Sequence, residues 1–477
     1  MNKTVKNSAI YFAGTAIMAV LGFVSTMLLT RVLSEQVYAL YGLLVTFSTT
    51  VVMFISFGYD ASYMRFYYDH GITQQKFMLR CMKYPLCLSL VFFAAMLEPS
   101  HWLIRYIFGV DLTFRIAAAV SIYIFLSVLQ RFVQLTARME EYPVNYTLSN
   151  IVAKCGFLVI VAAVFYVRRD VSFDWIAVSF AVSMAAALLL NVAVFCKVRK
   201  KRSVQTGSVT DKALFSYGFP FMINNVLVLV IPMIEKIVIR DIAGWGLLST
   251  YTAAAAFQTV ILLLTNTVEN IWNPIVFKNC NDKQKFRPIL HNFGFAATVL
   301  MTIGLAFCIL LRRWLVIFLA KNYHDVYIIA PAILYSSCFS LLMNIYSVGI
   351  NIEKKTIHLI AAPVLQIVSS VAICFLLIPT LGLTGIGCAV LISVVVSRLY
   401  RILVGLKIYP TGVSEARSFI LWGVSIAFAL VSMYFTSFAA DVCMFAALIL
   451  IMLLIANKDI VEACRNVYGL VRREKTV

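Results

Sequence analysis

"LLTNTVENIWNPIV", Leu263 to Val276, carries the reading on which the fold turns. It lies in a long apolar run, yet it holds a carboxylate, Glu269, and three asparagines, Asn266, Asn270 and Asn273. Their spacing, i, i+3, i+4, i+7, places all four on one face of a helix. A helix apolar on one side and amide-lined on the other suits a membrane span that faces a hydrated cavity or a polar partner, because an unpartnered polar group in hydrocarbon costs several kcal/mol.

Outward from this stretch, apolar runs recur along the whole 477 residues, of which 62% are apolar and only 13% charged. Each run is about 17–25 residues, enough to cross ~30 Å of hydrocarbon. The ~10-residue alternation of a membrane β-barrel is missing. The pattern therefore predicts an all-α polytopic membrane protein of about fourteen transmembrane helices. The spans fall at roughly 8–30, 36–57, 82–97, 116–136, 148–167, 175–196, 214–234, 247–273, 291–311, 327–350, 359–378, 385–407, 419–438 and 442–457. The first run, Ser8 to Thr30, is too long for the core of a cleavable signal peptide.

The charge is distributed as membrane topology demands. With the N-terminus in the cytoplasm, 28 of the 40 Lys and Arg fall on that side and 10 on the other, Arg131 and Lys154 lying within spans. Both termini are thus expected to be cytoplasmic. The net charge of +19 is expected to face anionic headgroups, and nucleic acid is not needed to explain it.

Eleven dispersed Cys without a C-x-x-C read as small packing groups, and the five separate His, near predicted helix ends, as interfacial residues. Neither a metal site nor a cofactor is expected. No Walker motif is present, so ATP is not expected to be the direct energy source. The longest loop on the outer side, Glu98 to Arg115, offers only Glu98 and Asp111 as acids, a poor basis for a membrane-embedded polymerase or glycosyltransferase.

The polar segment "KVRKKRSVQTGSVTDK", Lys197 to Lys212, reads as a linker. The expected organisation is a six-helix bundle over 1–197, a cytoplasmic linker over 198–213 and a second six-helix bundle over 214–408. Two additional helices over 409–457 and an amphipathic cytoplasmic tail over 458–477 follow. A faint repeat supports the division: at an offset of 210, Tyr41 meets Tyr251 and Phe47 meets Phe257, and one residue of slip brings Arg31 onto Arg240. An even number of spans per copy makes the halves parallel, an arrangement found in transporters that rock around a central cavity.

The residues also resemble a known family. "NSAIYFAGTAIMAVLGFVSTMLLTRVLSEQVYALYGLLVTFSTTVVMFISFGYDASYMRFYYD", Asn7 to Asp69, is similar to the opening of the polysaccharide-synthesis branch of the multidrug/oligosaccharidyl-lipid/polysaccharide exporter superfamily. Arg31, Leu33, Tyr38, Tyr41, Gly58 and Arg65 match its pattern, "LFSYGFPFMINN" and "PMIEKIVI" resemble the start of its second half, and Pro274 matches the Pro after its eighth helix. Ser34 and Ala39 replace usual glycines, and Glu235 stands where Asp is usual. The resemblance implies a flippase for polyprenyl-diphosphate-linked oligosaccharides in the bacterial cytoplasmic (inner) membrane, with a lipid tail groove along spans thirteen and fourteen. It leaves open whether a polysaccharide polymerase and a chain-length regulator are partners.

Charges inside spans point to the site, since each costs about 2.5–3.5 kcal/mol at a helix centre on insertion scales. In the first half these are Arg31, Arg131 and Lys154, with Arg65 near an end. Arg131, Gln134 and Arg138 share a face of the fourth span, and Asn150 and Lys154 share one on the fifth. If these faces converge they form a cationic cavity suited to a diphosphate, to which Arg donates bidentate hydrogen bonds; snorkelling to headgroups is the alternative. Arg31, Arg65, Arg131, Lys154, Asn150, Asn266 and Asn270 are the expected substrate contacts. Glu235, Lys236 and Glu269 are the expected groups for ion coupling or charge balance, a structural ion pair being the alternative. The tenth span carries a further stripe, Ser337, Ser340, Asn344, Ser347 and Asn351, suited either to helix packing or to lining a cavity. A drug or cation antiporter of the same superfamily is the rival reading; it would want an acidic cavity and usually twelve spans.

Overall fold

The computed structural model describes residues 3–67, 74–97, 102–140, 142–198, 209–259, 282–353, 355, 357–412 and 415–473, with 261, 265, 268, 269, 272, 275, 276 and 279. The described residues are helical or lie in turns, with no strand among them. Among the described residues, eleven helices are long and apolar enough to cross a membrane, which makes this a multi-pass membrane protein of all-α architecture.

The chain divides into two compact units, Met1–Ile237 and Val238–Val477. The first contains α1 (Lys3–Val32), α2 (Glu35–Ser56), α3 (Tyr59–Arg65), α4 (Gln74–Met96), α5 (Trp102–Phe108), α6 (Phe114–Met139), α7 (Pro143–Arg168), α8 (Phe173–Val198) and the first part of α9 (Asp211–Ala256). In it α8 packs against α6 and α7, α4 against α6, and α1 against α7. Tyr41 of α2 stacks on Phe157 of α7 and Phe180 of α8, with ring centroids 5.7 and 5.9 Å away. Many hydroxyls in the spans are satisfied by the preceding turn: Thr30 donates to the Thr26 carbonyl at 2.8 Å and Ser56 to that of Val52 at 2.7 Å.

The second unit holds the rest of α9, then α10 (Lys283–Val316), α11 (Val326–Tyr346), α12 (Val348–Ile352), α13 (Ile357–Ile408), α14 (Ala416–Val431) and α15 (Phe438–Arg473). Asp282 caps α10 by accepting the Lys285 N–H at 3.2 Å, a bond that holds its carboxyl below the usual range. α10 packs on α11 and α15, and α11 on α13. The far end of α10 is fastened by a fully buried pair, Arg312 with Asp441 at 2.5 Å, while the same guanidinium donates to the carbonyls of Ser432 and Phe435 at 2.5 and 2.6 Å. Those carbonyls belong to the turn between α14 and α15, so one cation satisfies groups a helix end leaves orphaned.

Two helices are too long for one crossing. α9 has 46 residues and α13 has 52, roughly 69 and 78 Å at 1.5 Å per residue. Each breaks at a glycine: Gly244 (φ 78°, ψ −176°) and Gly382 (φ 55°, ψ −122°), in regions closed to side chains. These breaks fall between expected spans, 214–234 and 247–273 in one case, 359–378 and 385–407 in the other. The offset of 210 also carries the α1–α2 break at Ser34 onto Gly244, and the start of α4 to within one residue of that of α10. It carries the start of α8 to the residue after Gly382, and the end of α8 onto the end of α13. The repeat is therefore one of elements, with α14 and α15 outside it.

Candidate functional site

Arg131 is held by a carboxylate that the sequence reading did not single out. Its Nε donates to Asp60 Oδ2 at 2.9 Å, and one terminal nitrogen contacts the same oxygen. Asp60 is 4% exposed, in the first turn of α3. The chain reaches it through Phe57 (φ 49°) and Gly58 (φ 76°), two left-handed residues that end α2 and turn the backbone. Gly58 lies directly against Gly218 of α9, and a Cβ on either would strike the other's backbone. Two more contacts fasten this segment to the end of α6: the hydroxyls of Tyr63 and Thr136 are 2.7 Å apart, and Tyr67 donates to Glu140 at 2.6 Å. Burial raises the Tyr63 phenol above its ordinary range, so it remains neutral. Arg131 thus serves partly as a tie between α3 and α6, with its side chain still one-third exposed.

One turn further, Gln134 donates to Asn150 Oδ1 at 2.8 Å and to Ser149 at 3.2 Å, while Asn150 donates to the Tyr146 carbonyl at 3.1 Å. The basic face of α6 and the polar face of α7 therefore meet. Lys154, one turn beyond Asn150 and eleven residues inside α7, is half-buried and has no hydrogen-bond or ion-pair partner among the described residues. Arg31 and Arg65 do not join this group at one level. Arg31 is exposed at the end of α1, and Arg65 is exposed at the end of α3, with its guanidinium 5.4 Å from the Phe66 ring; all of α2 separates them.

Glu235 and Lys236 are both buried. Lys236 Nζ donates to the Gly42 carbonyl on α2 at 2.7 Å, and Thr50 of α2 donates to the Leu229 carbonyl at 3.0 Å. This pair is thus built into the seam between α2 and α9 within the first unit.

In the second unit the two polar stripes meet each other. Glu269 accepts a hydrogen bond from Asn344 of α11. On either side of Asn344, Ser340 accepts from Arg398 Nε at 3.3 Å and Ser347 from Arg401 at 3.5 Å. The α11 stripe is therefore a contact with charged neighbours. Asn266, Asn270 and Asn273 lie outside the described residues, as do Pro274 and the side chain of Asn351. Trp272, three residues after Glu269, stacks on Phe293 with centroids 4.4 Å apart. Arg398 and Arg401 were missed because they sit near the end of a span and were counted with the cytoplasmic loop. Their i, i+3 spacing inside an apolar run was the available signal.

Residues 4–280 match the family described as polysaccharide biosynthesis protein, more than half of the chain. The chain belongs to the polysaccharide biosynthesis protein family. The family match takes in Asp60, Arg131, Asn150, Lys154, the Glu235–Lys236 pair and Glu269. Among solved structures, the chain is similar to the lipid II flippase MurJ in an inward closed conformation, with TM-score 0.69 and 14% identity over 95% of this chain and 100% of that one. It is also similar to a multidrug resistance MATE family transporter of the MOP superfamily. The inward-facing form gives TM-score 0.64 and 14% identity over 87% of this chain and 99% of that one. The outward-facing form gives TM-score 0.54 and 14% identity over 86% and 96%. At such identity the likeness is one of fold, and that fold is the one expected from the superfamily resemblance. No curated protein matches the sequence.

Proposed function

We propose that this protein is a flippase that moves polyprenyl-diphosphate-linked oligosaccharides across the cytoplasmic membrane of a bacterium, for assembly of a surface polysaccharide such as O-antigen, capsule or exopolysaccharide. Its substrate site is exposed alternately to the two faces of the membrane, and both termini are cytoplasmic. The observation that carries this reading is Lys154: an ammonium well inside a membrane helix, half-buried and without a partner among the described residues. A desolvated cation persists only where an anion or water meets it, and a diphosphate supplies the anion. Arg131, anchored by Asp60 yet one-third exposed, and the amide of Asn150 supply further contacts. Family membership supplies the polysaccharide context. The MurJ-like fold supports transport of a lipid-linked head group, and that match also spans more of the chain than the MATE match does.

The test is binding of a polyprenyl-diphosphate oligosaccharide to the purified protein and to Lys154→Ala. Loss of one charge-assisted contact, about 1.5–3 kcal/mol, should weaken binding about ten- to a hundredfold. Equal affinities would remove Lys154 from the site. Failure of the wild type to bind, with organic cations bound instead, would favour the antiporter.

A further inference from the structure

The second unit contains a cavity of about 260 Å³ that plays no part in the reading above. Ile261, Thr265 and Val268 form one wall, Leu300, Gly304 and Cys308 of α10 a second, and Leu334, Tyr335 and Cys338 of α11 the third. Its lining is almost wholly apolar, and its one threonine is satisfied: Thr265 donates to the Ile261 carbonyl at 3.0 Å. A cavity water needs two to four polar partners, and an apolar cavity of roughly 150 Å³ stays dry and takes up benzene. This cavity is larger and equally apolar, yet below the ~300–1,000 Å³ of sites for drug-sized ligands. It fits a segment of a single hydrocarbon chain.

Its position names the source. Leu300 is 55% exposed on the outer face of α10, and position 304 is bare: a Cβ there meets nothing within 4 Å. The lining stretch of α10 lies in the middle of its apolar run, at the depth where a bilayer acyl chain ends after crossing half of the ~30 Å core. No cation lines the cavity to hold a diphosphate. We infer that this cavity binds the terminal half of one acyl chain of a bilayer phospholipid, seated between Ile261, Thr265 and Val268 on one side and α10 and α11 on the others, and that Gly304 keeps the seat open. The inference stands whether or not the protein is a flippase.

The test uses the full chain in vesicles containing a phosphatidylethanolamine with a diazirine near the end of one acyl chain. Photolysis should label residues 300–308 and 334–338 above the level of the outward-facing Leu450, Leu453 and Leu454 of α15. Gly304→Leu fills the space. It removes contact with about two methylenes of the chain, so cavity labelling should fall about tenfold while labelling of α15 is unchanged. Gly304→Val carries the same test if the Leu variant does not fold. Labelling that persists in the filled variant, or that never exceeds the α15 level, overturns the inference. So does its displacement by polyprenyl phosphate equimolar with the protein, which would make the cavity a seat for an isoprenoid chain.

Discussion

A guanidinium gripped through two nitrogens by one buried carboxylate, as Arg131 is by Asp60, resists removal from either side unequally. Arg131→Ala strands Asp60, 4% exposed, without its counter-charge, and breaking such a pair costs about 3–5 kcal/mol. Asp60→Asn leaves Arg131 one-third exposed to other partners and should cost less. Thermal melts of both variants in the same detergent should rank them in that order; equal melts would show the pair to be a surface contact. Lys154→Met behaves oppositely, because removing an unpartnered cation relieves desolvation: the melting temperature is expected to hold or rise while diphosphate binding falls. At this scale the sequence showed which cations are out of place, since a charge in an apolar run is visible by itself. Their partners were hidden. Asp60 lies 71 positions from Arg131, between two predicted spans, and Asn344 lies 75 from Glu269.

Helix breaks are where element-scale reading did best, and glycine chemistry says why. Gly382 and Gly304 are alike in space, each with nothing within 4 Å of an added Cβ, but Gly382 sits at φ 55° and Gly304 in regular helix. Gly382→Ala is therefore expected to destabilise by about 1–3 kcal/mol through backbone strain alone. Gly304→Ala should stabilise by about 0.5–1 kcal/mol through helix propensity. Parallel melts of the two variants check this, and a shift of the same sign in both would refute the strain argument. Hydropathy separated the spans on either side of each break. It could not show that the helical trace runs on through them, because an α9 that merely turns at Gly244 and one that unwinds there leave the same apolar profile. The short α3 does not stand out in the sequence as a helix of its own for a related reason: seven residues carry too little periodicity to register.

For the whole molecule, orientation follows from counting charges, and it can be checked without a structure. A fluorescent protein fused after Val477 is expected to glow and an alkaline phosphatase at the same place to be inactive; the reverse pattern would invert the topology. The element-level repeat leaves α14 and α15 as an addition, and the Arg312–Asp441 pair shows how firmly that addition has been absorbed. Arg312 belongs to α10, inside the repeated part, yet its counter-charge comes from α15 and two of its acceptors from the turn that joins α14 to α15. A chain that lost the addition in one step would keep a bare guanidinium with nothing to neutralise it. Shortening would first require a neutral residue at position 312, a change that is itself harmful while Asp441 remains. The longer form is thus locked: the neutral residue that shortening needs at position 312 strands Asp441, and removing the last two helices strands Arg312, so neither half of the lock can be lost singly without cost.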